Sequence, residues 1–351
     1  MKFFWKATLP GLLSLSLLLN SCTEKTKNTE GQSVVTFHPG AVWEDTKGKA
    51  INAHGGGILY YKDTYYWYGE YKKGHTYLPE WATWECYRTD ITGISCYSSK
   101  DLINWEFKGI VLPAVKGDKS HDLHPSKVLE RPKVIYNKKT KKFVMWMHID
   151  SADYKMAATG VAVSDTPAGP FIYKGSFRPN GAMSRDQTVF VDDDGKAYQF
   201  YSSEDNATMY ISELTDDYLK PSGIYTRNFI NLFREAPAVF KYKKKYYMVS
   251  SGCTGWDPNA AVIAQADSIL GPWVIQLEPL CQGKDADKTF YAQSTYVFPV
   301  VGKEGAFVVM FDKWNKTDLE NSRYIWLPVY LRKNNIKVVW AEKWDLSIFN
   351  Y

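Results

Sequence analysis

Between residues 58 and 310 the chain is written in short apolar runs, each cut off by Gly, Asp, Asn or Lys. The runs are rich in Tyr, Val, Phe, Trp and Ile. No part beyond the first 36 residues sustains a 3.6-residue period, so the pattern predicts strands rather than helices. The runs come in pairs: 58–61 with 65–68, 134–136 with 143–146, 188–191 with 197–201, 238–240 with 246–249, and 295–298 with 306–310. Each of the first four pairs is followed by a third run and a polar surface turn. Two of those turns close on Gly-Pro-aromatic, at Gly169-Pro170-Phe171 and Gly271-Pro272-Trp273. Five such units of roughly 50 to 75 residues, with four strands in each, predict an all-β, five-bladed β-propeller. A β-sandwich would alternate in the same way but does not account for the recurring turn.

The N-terminal end follows a different pattern. Lys2 and Lys6 precede an apolar run over 11–19, which is too short to span a bilayer, and Leu19-Asn20-Ser21-Cys22 follows. Residues 1–21 therefore read as a lipoprotein signal peptide, with Cys22 as the lipidated residue. Residues 22–36 are polar and aperiodic, as in a flexible tether, and 37–351 form the propeller. The expected location is exported and lipid-anchored in a Gram-negative-type cell envelope, with the membrane engaged only through the lipid. A net charge of +5, with two lysines in the leader, is too small and too scattered for a nucleic-acid partner. Cys86, Cys96, Cys253 and Cys281 remain as either disulfides or buried thiols.

In a propeller the first residues of each innermost strand face the central axis, so five strand heads converge on one pocket. The heads are His54-Gly55-Gly56-Gly57, Glu130-Arg131-Pro132, Ser184-Arg185-Asp186, Arg234-Glu235-Ala236-Pro237 and Ala292-Gln293-Ser294. Three of the five carry a carboxylate. Carboxylates that share a pocket raise one another's pKa, which favours acid–base chemistry. Three glycines ahead of a strongly β-prone run mark a close approach by another group. No zinc-like or EF-hand-like spacing occurs, so the chemistry requires no cofactor or metal, and only a structural cation on the axis is left open.

Taken together, the heads, the segments SRDQTVFVDDDG and REAPAVFKY and the GPW turn resemble glycoside hydrolase family 43. INAHGGGI and WYGE resemble its exo-β-1,3-galactanase branch. The resemblance implies a five-bladed inverting enzyme with Glu235 as general acid and Asp186 as the residue that tunes it. The family's usual Asp base would fall at about Gly55 and is missing. In the branch Gln293 would hold the water, and Glu130 is a second functional carboxylate. Substrate contacts are expected from Tyr154, Thr254, Asn206 and Glu85, with Trp256 stacking on the sugar and His54 lining the floor or bracing the glycine turn.

Inversion needs a protonated carboxyl on the leaving oxygen and a water-activating group on the opposite sugar face. A neutral amide accepts protons poorly, so Gln293 orients water or acts as an unusual tautomer. Glu130 is the stronger base, or else a ligand to a sugar hydroxyl; both assignments stay open. The implied function is exo-release of galactose from β-1,3-galactan, with a polysaccharide or oligosaccharide as the only partner. The alternatives are an α-L-arabinofuranosidase or β-xylosidase, which the missing Asp disfavours, and a non-catalytic glycan-binding propeller, which has no use for a Glu235–Asp186 pair.

Overall fold

The computed structural model describes residues 36–332 and 335–350. The signal peptide expected over 1–21, Cys22 and the tether up to residue 35 lie outside the described residues. The rest forms five sheets in chain order, antiparallel except for one short parallel pairing in the fifth. Blade 1 holds β1 (His54–Tyr61), β2 (Thr64–Glu70), β3 (Gly93–Ser99) and β4 (Glu106–Pro113). Blade 2 holds β5 (Val128–Asn137), β6 (Lys142–Asp150), β7 (Ala158–Ser164) and β8 (Ile172–Phe177). Blade 3 holds β9 (Gln187–Val191), β10 (Ala197–Ser203), β11 (Thr208–Leu214) and β12 (Pro221–Asn228). Blade 4 holds β13 (Arg234–Tyr242), β14 (Lys245–Gly252), β15 (Val262–Ala266) and the two-residue β16 (Val274–Ile275). Blade 5 holds β17 (Cys281–Gln282), β18 (Gln293–Pro299), β19 (Phe307–Lys313), β20 (Arg323–Arg332) and β21 (Asn335–Val339).

The inner strands β1, β5, β9, β13 and β18 pack side by side in a closed ring, which is the predicted five-bladed propeller. Blade 5 departs from four strands. Cys281–Gln282 pairs in parallel with β21 and covers what would otherwise be an open sheet edge. The paired runs of the sequence are the inner two strands of each blade, buried between neighbouring blades on both faces. This explains why they read as nearly continuous apolar stretches.

The inner ends are joined by aromatic packing between blades 1 and 5. Trp67 of β2 is fully buried, with its ring centroid 4.7 Å from both Tyr324 and Trp326 of β20. Phe37 stacks on Trp344 at 4.2 Å and the two exchange backbone hydrogen bonds, tying both ends of the described chain to blade 5. Cys86, Cys96, Cys253 and Cys281 are all free thiols.

Candidate active site

Three of the inner strands begin with the same irregularity. A bulge lies between His54 and Gly57 in β1, between Glu130 and Lys133 in β5, and between Glu235 and Ala238 in β13. In each, one residue takes a left-handed φ: Gly55 at 58°, Arg131 at 53° and Ala236 at 52°. Bulges of this kind re-aim a strand's side chains. His54, Glu130 and Glu235 therefore occupy equivalent places.

The three glycines of blade 1 each yield space to a different group. A Cβ at Gly55 would lie 2.1 Å from Glu70 Oε1, one at Gly56 1.7 Å from the Tyr68 carbonyl oxygen, and one at Gly57 2.8 Å from Lys133 Cδ. The carboxylate missing from the head of blade 1 is thus matched by Glu70, which reaches the same volume from the end of β2. Glu70 Oε1 accepts from the Arg131 backbone N–H at 2.9 Å, and Lys72 Nζ lies 2.7 Å from Oε2.

A cavity of ≈ 440 Å³ opens over these heads. Glu70, Glu130, Asp186, Glu235 and Gln293 meet there, within walls that include Tyr154, Asn206 and Trp256. Arg131 organises it. Its guanidinium grips Asp186 through Nε to Oδ1 at 3.1 Å and Nη2 to Oδ2 at 2.9 Å, and Nη2 also donates to Gln293 Oε1 at 2.5 Å. Trp314 Nε1 donates to the same Gln293 oxygen at 3.1 Å. Both partners are pure donors, which fixes the amide orientation and directs Nε2 to Glu235 Oε1 at 2.8 Å and Ser251 Oγ at 3.1 Å. All four hydrogen-bonding positions of Gln293 are taken by protein. A water or sugar that engages it must displace a partner.

The carboxylates differ sharply in proton affinity. Burial and then the Asp186 charge push Glu235 up to about 8, against the pull of Arg131. Burial would also raise Glu130, but a hydrogen bond from His148 and the charges of Lys72, His148 and Arg131 outweigh it and hold Glu130 at about 2. His148 Nδ1 lies 3.2 Å from Glu130 Oε2 and its Nε2 lies 3.0 Å from the buried Asp150. Burial opposes the charge on His148, yet hydrogen bonds to Asp150 and Glu130 bring it up to about 9. Glu70 is raised, chiefly by burial, with Lys72 opposing and Glu130 reinforcing the shift. One carboxyl is thus held neutral and another ionised within one cavity, the pattern that separates an acid from an anion.

Of the residues singled out from the sequence, Glu235, Gln293, Asp186, Glu130, Tyr154, Asn206 and Trp256 meet in this cavity. Tyr154 donates to Glu130 Oε1 at 3.1 Å, while Asn206 Oδ1 and Trp256 Nε1 are buried with no protein partner. Three others lie off the lining. His54 is fully buried, with Nδ1 3.2 Å from Asp312 Oδ1, and Asp312 Oδ2 also accepts from the Gly55 N–H, so His54 belongs to the brace of the glycine turn. Thr254 caps its own loop, donating to the Asp257 carbonyl at 2.5 Å. Glu85 is exposed and pairs with Lys316. The sequence reading passed over Glu70, Lys72, His148, Asp150, Trp84 and Trp314. The strand register offered one signal, since Glu70 faces His54 and His148 faces Glu130 across the inner hairpins.

Among the described residues, Glu130, His148 and Asp186 bring ligand atoms within 4.8 Å of one another. The donor set does not fit a metal ion. Both His148 nitrogens and both Asp186 oxygens are already engaged, and Arg131 lies against the latter. The buried Lys133 amine donates to the Gly55 carbonyl at 2.7 Å, and burial together with the Arg131 charge brings its pKa down to about 7.

A model of the glycosyl hydrolases family 43 matches residues 56–309. A curated relative, the beta-D-galactofuranosidase xynD of Aspergillus niger, is 30% identical over 152 residues, covering 40% of this chain and 43% of that protein. The solved GH43 β-1,3-galactosidase BT0265 is 42% identical with a TM-score of 0.82, over 90% of this chain and 65% of that one. The chain thus spans less than two thirds of the length of either relative. The β-1,3-galactosidase BT3683, solved with galactodeoxynojirimycin, is also 42% identical at a TM-score of 0.82, over 88% of this chain and 100% of that one. The exo-β-1,3-galactanase of Phanerochaete chrysosporium, solved with galactose, is 36% identical at 0.80, over 89% and 68%.

Proposed function

The chain belongs to glycosyl hydrolase family 43, and on that premise we propose that it is an exo-acting, inverting hydrolase that releases galactose from β-1,3-galactan. The observation that carries the reading is Glu235. It is a half-buried carboxyl that lines the cavity and is held neutral up to about pH 8, as a general acid requires. Asp186 contributes the charge that keeps it so. Gln293 positions the water, and Glu130, too weakly basic at about 2 to take a proton well, accepts hydrogen bonds from sugar hydroxyls together with Tyr154. The similarity to two β-1,3-galactosidases and an exo-β-1,3-galactanase supports galactose as the unit released.

The test is a substrate panel of β-1,3-galactobiose, β-1,3-galactan, and aryl arabinofuranoside, xyloside and galactofuranoside. Galactose from the first two is the expected result. Turnover of only the pentosides or the galactofuranoside overturns the substrate assignment.

The reading extends to the N-terminus: export, lipidation at Cys22 and a tether that lets the propeller reach polymer. Radiolabelled fatty acid should enter the wild type and not a Cys22→Ala variant; equal labelling of both would remove the anchor.

A further inference from the structure

The loop between β2 and β3, residues 71–92, turns its chemistry inside out. Its polar groups hold it down. Tyr77 and Arg88 exchange backbone hydrogen bonds, Arg88 Nη1 donates to the Ala152 carbonyl at 3.2 Å, and Thr76 Oγ1 accepts from the Leu319 N–H at 2.9 Å. Its apolar groups face water: Trp84 is 48% exposed, Leu78 44% and Trp81 41%. Single exposed apolar residues are ordinary, but two indoles and a leucine within seven positions of one braced loop are not. The loop is also continuous with the cavity. Trp84 forms part of the cavity wall, and its ring meets that of Tyr154 edge-on at 5.7 Å.

We propose that Trp84 and Trp81, with Leu78 beside them, form a platform for further sugar units of the same neutral glycan whose end unit occupies the cavity. The chemistry fits such a ligand. A pyranose presents an apolar C–H face that packs on an indole, and a rigid ring loses little freedom when it binds. Continuity with the cavity through Trp84 favours the substrate chain over a lipid surface as the occupant. The inference rests on the glycosidase reading but not on the identity of the sugar.

The test uses the full-length protein and Trp81→Ala, a change at an exposed site away from the cavity lining. Affinity electrophoresis is run in gels containing soluble β-1,3-galactan, arabinan or xylan, beside kinetics on galactan and β-1,3-galactobiose. Trp81→Ala should abolish retardation by whichever glycan retards the wild type. It should raise KM on galactan about tenfold and leave galactobiose kinetics unchanged. Retardation by arabinan or xylan alone, lost in the variant, supports the platform while refuting galactan as the ligand. Equal retardation of both proteins, no retardation by any of the glycans, or a loss confined to phosphatidylethanolamine–phosphatidylglycerol vesicle binding overturns it.

Discussion

The Gln293 amide nitrogen donates to Glu235 Oε1 at 2.8 Å, so the two groups lie on the same side of the cavity. An inverting pair normally stands roughly 6.5–9.5 Å apart, with sugar and water between. Gln293 can therefore hold a water for inversion only after substrate has separated it from Glu235. Its contacts to Ser251 and Trp314, each at 3.1 Å, can remain.

Replacing Gln293 by Ala should lower kcat by roughly 10²- to 10³-fold, the cost typical of removing one oriented polar group, with sugar affinity largely kept. Gln293→Glu should recover part of the rate and move the alkaline limb upward, because two adjacent carboxyls resist double ionisation. Glu130→Gln should raise KM more than it lowers kcat. Calorimetric binding beside initial rates checks all three. Intact binding with a collapsed kcat in Glu130→Gln would instead make Glu130 the base.

Glu235→Gln should depress turnover of natural galactan by roughly 10²- to 10⁴-fold and that of an activated aryl galactoside far less, since a good leaving group needs little proton help. Initial rates on the two substrates decide the matter. Equal losses would make Glu235 a positioning group.

The pH dependence has a definite sign. Glu235 is held above its ordinary value, to about 8, so kcat/KM should fall as pH rises through about 8. The same shift acts on stability. A folded-state pKa above the unfolded one gives stability that is fully present below the ordinary carboxylate value and lost as pH rises through 8. Glu235→Gln removes that loss. Its melting temperature relative to wild type should climb between pH 5 and pH 9; a gap that stays constant would contradict the raised pKa.

How much of this could be read from the chain is itself a physical matter. The five hairpins and the heads carrying Glu130, Asp186, Glu235 and Gln293 were legible because strand alternation and turn residues are local signals. The role of Glu70 was not. It depends on a β2 side chain entering space vacated by Gly55 on the neighbouring strand, which only the register and the bulge reveal. For His54 the sequence leaves pocket floor and glycine-turn brace both open, for the complementary reason. It occupies the head position, yet Asp312 from blade 5 draws it inward. Glu85 and Thr254 lie in long loops, where no periodicity tells which side chains face the cavity.

The glycine run makes a separable prediction. Gly56→Ala puts a methyl 1.7 Å from the backbone oxygen of Tyr68, which cannot retreat without breaking the inner hairpin. Gly55→Ala meets a side-chain oxygen of Glu70 and adds left-handed strain of roughly 1–3 kcal/mol. Thermal unfolding should rank Gly56→Ala as the more damaging, and Glu70→Ala should partly rescue Gly55→Ala but not Gly56→Ala. Rescue of both, or of neither, would contradict this account of the head.

The central claim, that Glu235 protonates the leaving oxygen while water attacks the opposite face of a terminal galactose, is tested most directly by proton NMR of the first product from β-1,3-galactan. The spectrum must be taken before the anomers equilibrate. The account predicts free galactose as the sole sugar released, appearing first as the α-anomer from a β-linkage. Initial β-galactose, or oligosaccharides released ahead of galactose, would contradict it.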